Sequence, residues 1–193
     1  MRDIKRLFDI FFSVIGLIVL SPAYLIIYIG FKLSSGGDVI YRQERVGLHG
    51  KPFIIYKFRT MVRDSEADGT PLLAEKSDKR QTKFGKFLRA HHLDELPQLW
   101  NVLKGDMSFV GYRPERQYFI DKIMERRPDY VKLYAMRPGI TSMATLYNGY
   151  TDTMEKMVTR LDWDLKYVEN YSIFLDIKII TLTVLNIVSG KKF

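Results

Sequence analysis

The chain has 193 residues, 47% of them hydrophobic, which is enough for one compact domain plus an additional segment and too few for two ordinary domains. Its 30 Lys and Arg against 22 Asp and Glu give a formal charge of +8, which suits nucleic acid, a phosphorylated metabolite or a lipid surface without choosing among them. The absence of cysteine excludes disulfides, thiolate metal sites and cysteine nucleophiles.

Residues 10–31, "IFFSVIGLIVLSPAYLIIYIGF", run without a charge. As a helix this stretch is roughly 33 Å long, enough to cross a bilayer core, and it is too long for a signal peptide. Ser21-Pro22 falls at its midpoint, where the proline removes a backbone hydrogen bond and predicts a bend. The Ser21 hydroxyl is close enough to serve the carbonyl that Pro22 leaves without a donor. Both flanks are basic, with Arg2, Lys5 and Arg6 before the stretch and Lys32, Arg42 and Arg45 after it. A spanning helix would put one basic flank on the outer side, whereas a helix that breaks and leaves by the face it entered satisfies both. The expectation is therefore a kinked, re-entrant membrane helix over residues 1–35, followed by a domain over 36–193.

"SSGGD", 34–38, reads as the break between the two. "VIYRQERVG" and "FIIYKFRTM", separated by "LHGKP", predict a β-hairpin. Residues 68–81 read as a surface loop. From Thr82 the spacing becomes helical, with Phe84, Phe87, Leu88 and His91 on one side. Further helices are predicted around 96–104, 115–126 and 151–170, the last with Met154, Met157, Val158, Leu161, Leu165 and Val168 as a core stripe. The uncharged tail 179–188 is too short to span and predicts a buried or interfacial helix. The fold class is thus α+β and mostly helical, with one short hairpin.

Chemistry concentrates between 83 and 116, where Lys83, Lys86, Arg89, Lys104, Arg113 and Arg116 surround Asp94, Glu95, Asp106 and Glu115. Two readings stand here. A solvated helix face has the same composition, and Asp94 ahead of Leu96, Leu99, Trp100 and Leu103 is a plausible helix cap before Pro97. Arginines that match phosphate oxygens, together with carboxylates that suit Mg²⁺, equally describe a metal-assisted phosphate site, in which a carboxylate attacks phosphorus. "GYRPE", 111–115, and "MRPGITS", 136–142, are turns with an arginine able to face a phosphate. His49, His91 and His92 show no metal-ligand spacing and read as surface or partly packed residues.

"RLFDI", the apolar run with "SP", "RVG", "YKFRTM", "KFGKFLR", "LDELPQLWNVLKGDMSFVG", the "RP" of 113–114, "RPGIT" and "YVENYSIFLDIKII" occur in one order over nearly the whole chain. Together they resemble the bacterial sugar transferases that initiate surface glycans, the small monotopic phosphoglycosyl transferases. The resemblance implies transfer of a sugar phosphate from a UDP-sugar to polyprenyl phosphate, with Mg²⁺ and release of UMP, at the cytoplasmic face of the bacterial inner membrane. It implies Asp94 as nucleophile, and Glu95 beside it for Mg²⁺ and proton handling, both carboxylates serving the metal. It also suggests Lys57, Arg59, Arg89, Arg113 and Arg137 around the phosphates, and Asp164 in the same polar cluster. The partners expected are these two substrates and a phospholipid membrane, with no nucleic acid. The sugar and any homo-oligomer are left open. The chain departs from the family's usual pattern at Tyr112, in place of a proline, and over 142–152, where Tyr150 stands near an expected arginine. A rival from another class is a non-catalytic module whose positive charge binds anionic lipid.

Overall fold

A computed structural model describes residues 2–34, 37–62, 78–149 and 151–189. The apolar stretch forms two helices, α1 (Arg2–Val19) and α2 (Ser21–Ser34), bent by 56° at the break. The Ser21 hydroxyl donates to the Ile18 carbonyl at 2.8 Å, so the group that Pro22 strips of its helical donor is satisfied locally. Among the described residues no single helix is long and apolar enough to cross a membrane; the bent pair passes by length and composition.

Helix α1 inverts the usual arrangement of a helix in water. Asp9 and Ser13 are buried, whereas Leu7, Phe11, Ile18 and Val19 are each more than half exposed. The polar side is stitched to the rest of the chain. Arg6 donates to the carbonyls of Val102 and Leu103 at 2.6 and 2.7 Å. One Asp9 oxygen accepts from the Ser108 hydroxyl and the Phe109 N–H, each at 3.1 Å. In α2, Ile27 and Phe31 pack with Val39, Phe58 and Leu88, and the Tyr24 hydroxyl donates to the Leu96 carbonyl at 2.6 Å. Its opposite side leaves Leu25, Ile26 and Leu33 exposed.

The expected hairpin is β1 (Ile40–Val46) antiparallel to β2 (Pro52–Phe58), in a register running from Ile40 opposite Phe58 to Val46 opposite Pro52. Helix α3 (Lys83–Ala90) starts where Thr82 caps the Gly85 N–H, a serine or threonine signal repeated before α6 (Met143–Tyr147), α7 (Met154–Glu169) and α8 (Ile173–Val188). Between them lie α4 (Gln98–Lys104), β3 (Ser108–Val110), α5 (Gln117–Met124) and β4 (Gly139–Thr141). Of the expected loop, 68–77 lies outside the described residues, as do 35 and 36 of the "SSGGD" break. Gln81, at the end of that loop, bridges to Met61.

Strands β3 and β4 are parallel, a pairing the sequence reading did not anticipate. It joins the two Arg-Pro motifs: the Gly139 N–H bonds the Tyr112 carbonyl at 2.9 Å, and the Gly111 N–H bonds that of Thr141 at 3.1 Å. Both glycines are required by this approach, because a Cβ on Gly111 would stand 2.3 Å from the Arg137 carbonyl oxygen and one on Gly139 2.1 Å from the Gly111 nitrogen. The main core lies beside this crossing, where Tyr112 and Ile120 meet Met157, Leu161 and Leu165 of the predicted α7 stripe. Helix α8 buries Asp176 and Ile179 and exposes Phe174, Ile177, Val184, Leu185 and Val188. Its Asp176 ties it to α1, where the Lys5 ammonium donates to one carboxylate oxygen at 2.5 Å while the Tyr167 hydroxyl donates to the other at 2.6 Å.

Candidate active site

A cleft of about 650 Å³ opens between the hairpin, the helix break, the segment before α4 and the C-terminal half of α8. One wall is apolar, with Leu20, Leu99, Phe109, Ile140, Val184 and Ile187. The other carries Lys57, Arg59, Arg80, Arg89, Arg113 and Arg116, together with Asp94 and Glu95. Clustered cations in a partly enclosed site focus a positive potential on any anion that enters.

Asp94 and Glu95 sit on a single 3-10 turn (Leu93–Glu95), entered through His92 in the left-handed conformation at φ 55° and leading through Leu96 and Pro97 into α4. On such a turn successive side chains diverge by about 120°, so the two carboxylates face different surroundings. Glu95 Oε1 accepts from the Lys57 ammonium at 2.7 Å and the Arg113 guanidinium at 3.4 Å. Burial favours its neutral form, but Lys57 and Arg113 outweigh that effect and hold the carboxyl well below the usual range. Asp94 is only 7% exposed, yet its carboxylate accepts no hydrogen bond among the described residues. Burial, and then the negative charge of Glu95, push its carboxyl upward. The capping reading fails, since neither this turn nor α4 receives a side-chain cap.

The site thus sets a desolvated carboxylate beside an ion-paired one in a cationic setting, an arrangement able to present a nucleophile. Carboxylates are also donors of the kind that a magnesium ion takes. Among the described residues no group of three or more His, Cys, Asp or Glu could hold a metal. Magnesium, however, takes one or two carboxylates and completes its shell with water and substrate phosphate. Asp94 and the Glu95 Oε2 atom, which receives no hydrogen bond among the described residues, are of that kind.

Of the other anticipated residues, Lys57, Arg59, Arg89 and Arg113 line the cleft. Arg89 is steadied by the Thr60 hydroxyl at 3.0 Å and Arg59 by the Asp38 carbonyl at 3.0 Å. Arg137 does not line the cleft, because its Nε donates to the Gly105 carbonyl at 2.8 Å, at the end of α4 where Arg6 also binds. Asp164 lies behind the wall, with Oδ2 accepting from the Arg113 backbone N–H at 3.5 Å, and burial pushes it up to about 7. Tyr150 is outside the described residues. Sequence reasoning missed the support of this wall. Glu115 accepts from Arg160 at 2.7 Å and from Arg45 at 2.9 Å, with both Glu115 and Arg160 side chains 7% exposed. Partners 45 and 70 residues apart leave no local signal.

The family model for bacterial sugar transferases matches residues 1–190. The UDP-glucose:undecaprenyl-phosphate glucose-1-phosphate transferase of Klebsiella pneumoniae is 46% identical over 182 residues, which is 93% of this chain and 39% of that protein. A UDP-N-acetylgalactosamine-undecaprenyl-phosphate N-acetylgalactosaminephosphotransferase of Aeromonas hydrophila is 40% identical over 97% of this chain and 44% of its own length. The uncharacterized sugar transferase EpsL of Bacillus subtilis (strain 168) is 40% identical over 94% of this chain and 85% of its own. The chain therefore spans less than half of the first two relatives and most of the third.

Proposed function

Since this chain belongs to the bacterial sugar transferase family, we propose that it moves a sugar phosphate from a UDP-sugar to a polyprenyl phosphate in two steps, initiating surface-glycan synthesis. In the first step an Asp94 oxygen bonds to the sugar-linked phosphorus of the donor, the pyrophosphate P–O bond breaks, and UMP leaves with the bridging oxygen. In the second an oxygen of the polyprenyl phosphate bonds to that phosphorus, the Asp94–phosphorus bond breaks, and the aspartate is regenerated. The observation that carries this reading is the Asp94 carboxylate, buried in a cationic cleft without a hydrogen bond among the described residues. Lys57 and Arg113 keep Glu95 ionised, while Arg59 and Arg89 face the donor's phosphates. Asp94 and Glu95 would hold a magnesium ion, which when bound offsets charge on the phosphate oxygens.

The apolar wall, with Leu20 beside the helix break and Val184 and Ile187 on α8, suits an acceptor with a hydrocarbon chain. The exposed apolar sides of α1, α2 and α8 support seating in the cytoplasmic leaflet of a bacterial inner membrane. There the acceptor is held at high effective concentration. The test is UMP release by detergent-solubilised protein with a panel of UDP-sugars and polyprenyl phosphate. UMP is expected from one or a few donors, and chelation of divalent metal with EDTA should stop it. No UMP from any donor, with salt-sensitive binding to anionic vesicles retained, would instead favour the lipid-binding module.

A further inference from the structure

The block "LWNVLKGDMS", 99–108, follows the two acids, and the chemistry above leaves it unexplained. Asn101, in its middle, is fully buried. A primary amide is costly to bury unless its donors and acceptor are used. Here its Oδ1 accepts from the Tyr56 backbone N–H at 3.0 Å, and its Nδ2 donates to the Ile54 carbonyl at 2.6 Å and the Asp106 carboxylate at 3.1 Å. Ile54 and Tyr56 alternate along β2, opposite Glu44 and Arg42, and present these groups away from β1. One side chain thus pairs with the free edge of the hairpin as a neighbouring strand would. Its backbone carbonyl accepts the N–H groups of Gly105, Asp106 and Met107 at 3.1, 3.0 and 3.2 Å, closing the turn from α4 into β3.

Three segments meet at this residue, and each carries part of the site. Strand β2 presents Lys57 next after Tyr56, α4 begins just after Glu95, and β3 leads through Gly111 to Arg113. Lys57 and Arg113 converge on the same Glu95 oxygen. The geometry points to Asn101 as a positioning residue that, by locking β2 and the entry to β3 onto α4, sets Lys57 and Arg113 on Glu95 and leaves the Asp94 carboxylate open. This inference rests on the proposed transfer only for its effect on rate.

The test substitutes Asn101→Ser, whose hydroxyl is too short to reach both Ile54 and Tyr56, in the full chain in detergent. In the parent protein the Tyr56 N–H should exchange as slowly as the amides within the β1–β2 ladder, and in the variant it should exchange as a free edge amide. The kcat for UMP release, per folded protein, should fall roughly 10- to 100-fold in the variant, with a smaller change in KM for the UDP-sugar. Folded variant that keeps kcat within about twofold of the parent overturns the inference. If the variant does not fold, the Tyr56 exchange in the parent protein decides, and a Tyr56 N–H exchanging there as a free edge amide overturns the pairing. A parent protein that releases no UMP would remove the functional reading while leaving the Tyr56 exchange to judge the Asn101 pairing.

Discussion

Replacing Asp94 with asparagine is expected to abolish sugar-phosphate transfer, lowering kcat by at least about 10³-fold, since no other group replaces a covalent nucleophile. The substitution is nearly isosteric, and Asp94 makes no hydrogen bond among the described residues for the fold to lose. Unfolding temperature and recovery in detergent should therefore match the parent protein. Burial and the Glu95 charge oppose ionisation of Asp94, so removing that buried charge should leave stability near neutral pH unchanged or higher. The same upward shift predicts that activity in the parent falls as pH drops through a range above that of an ordinary aspartate, because the neutral acid cannot attack. UMP release within tenfold of the parent by well-folded variant would remove Asp94 from the nucleophile's role.

Substituting Glu115→Ala is expected to cost about 3–5 kcal/mol of stability, the range seen when one partner of a buried ion pair is removed. Glu115 receives Arg160 on one oxygen and Arg45 on the other, and it sits two residues after Arg113. Without it two guanidinium groups are left in a poorly solvated wall. Thermal unfolding should drop by roughly 6–20 °C, taking about 2–4 °C per kcal/mol for a chain of this size. Removing Glu115 and Arg160 together, as Glu115→Leu with Arg160→Met, leaves only Arg45 without its carboxylate and should be less damaging than the alanine alone. A shift of under about 1 kcal/mol for Glu115→Ala would mean that the pair is solvated, with the modest worth of a surface bridge.

Features with a local cause were legible in the sequence. Pro22 cannot donate a hydrogen bond in any context, so the helix break and the Ser21 repair could be read directly, and the structure has both. The hairpin and the α7 stripe carried their own periodicities. Three-residue strands carry none, so β3 and β4 went unseen, although the glycines of the two Arg-Pro motifs marked a close backbone approach. Arg137 read as a phosphate ligand because a turn arginine has no sequence signal for direction; in the fold it binds the Gly105 carbonyl. The charge count at the flanks of the apolar stretch treated Lys5 and Arg6 as interfacial, whereas both are spent on bonds within the protein. The acids were visible as a pair in basic surroundings. The resemblance implied separate roles for them, but which of the two is ion-paired was not legible, because Lys57 and Arg113 are brought to Glu95 by separate segments.

The central claim is that Asp94 carries the phosphosugar between donor and acceptor. The most direct measurement mixes the detergent-solubilised protein with Mg²⁺ and each UDP-sugar in turn, without acceptor, and examines intact protein and its peptides by mass spectrometry. An added sugar phosphate is expected on the peptide that contains Asp94, released on addition of polyprenyl phosphate and missing from Asp94→Asn. Acceptor-dependent turnover with no such adduct under rapid quench, or an adduct on another residue, would contradict it.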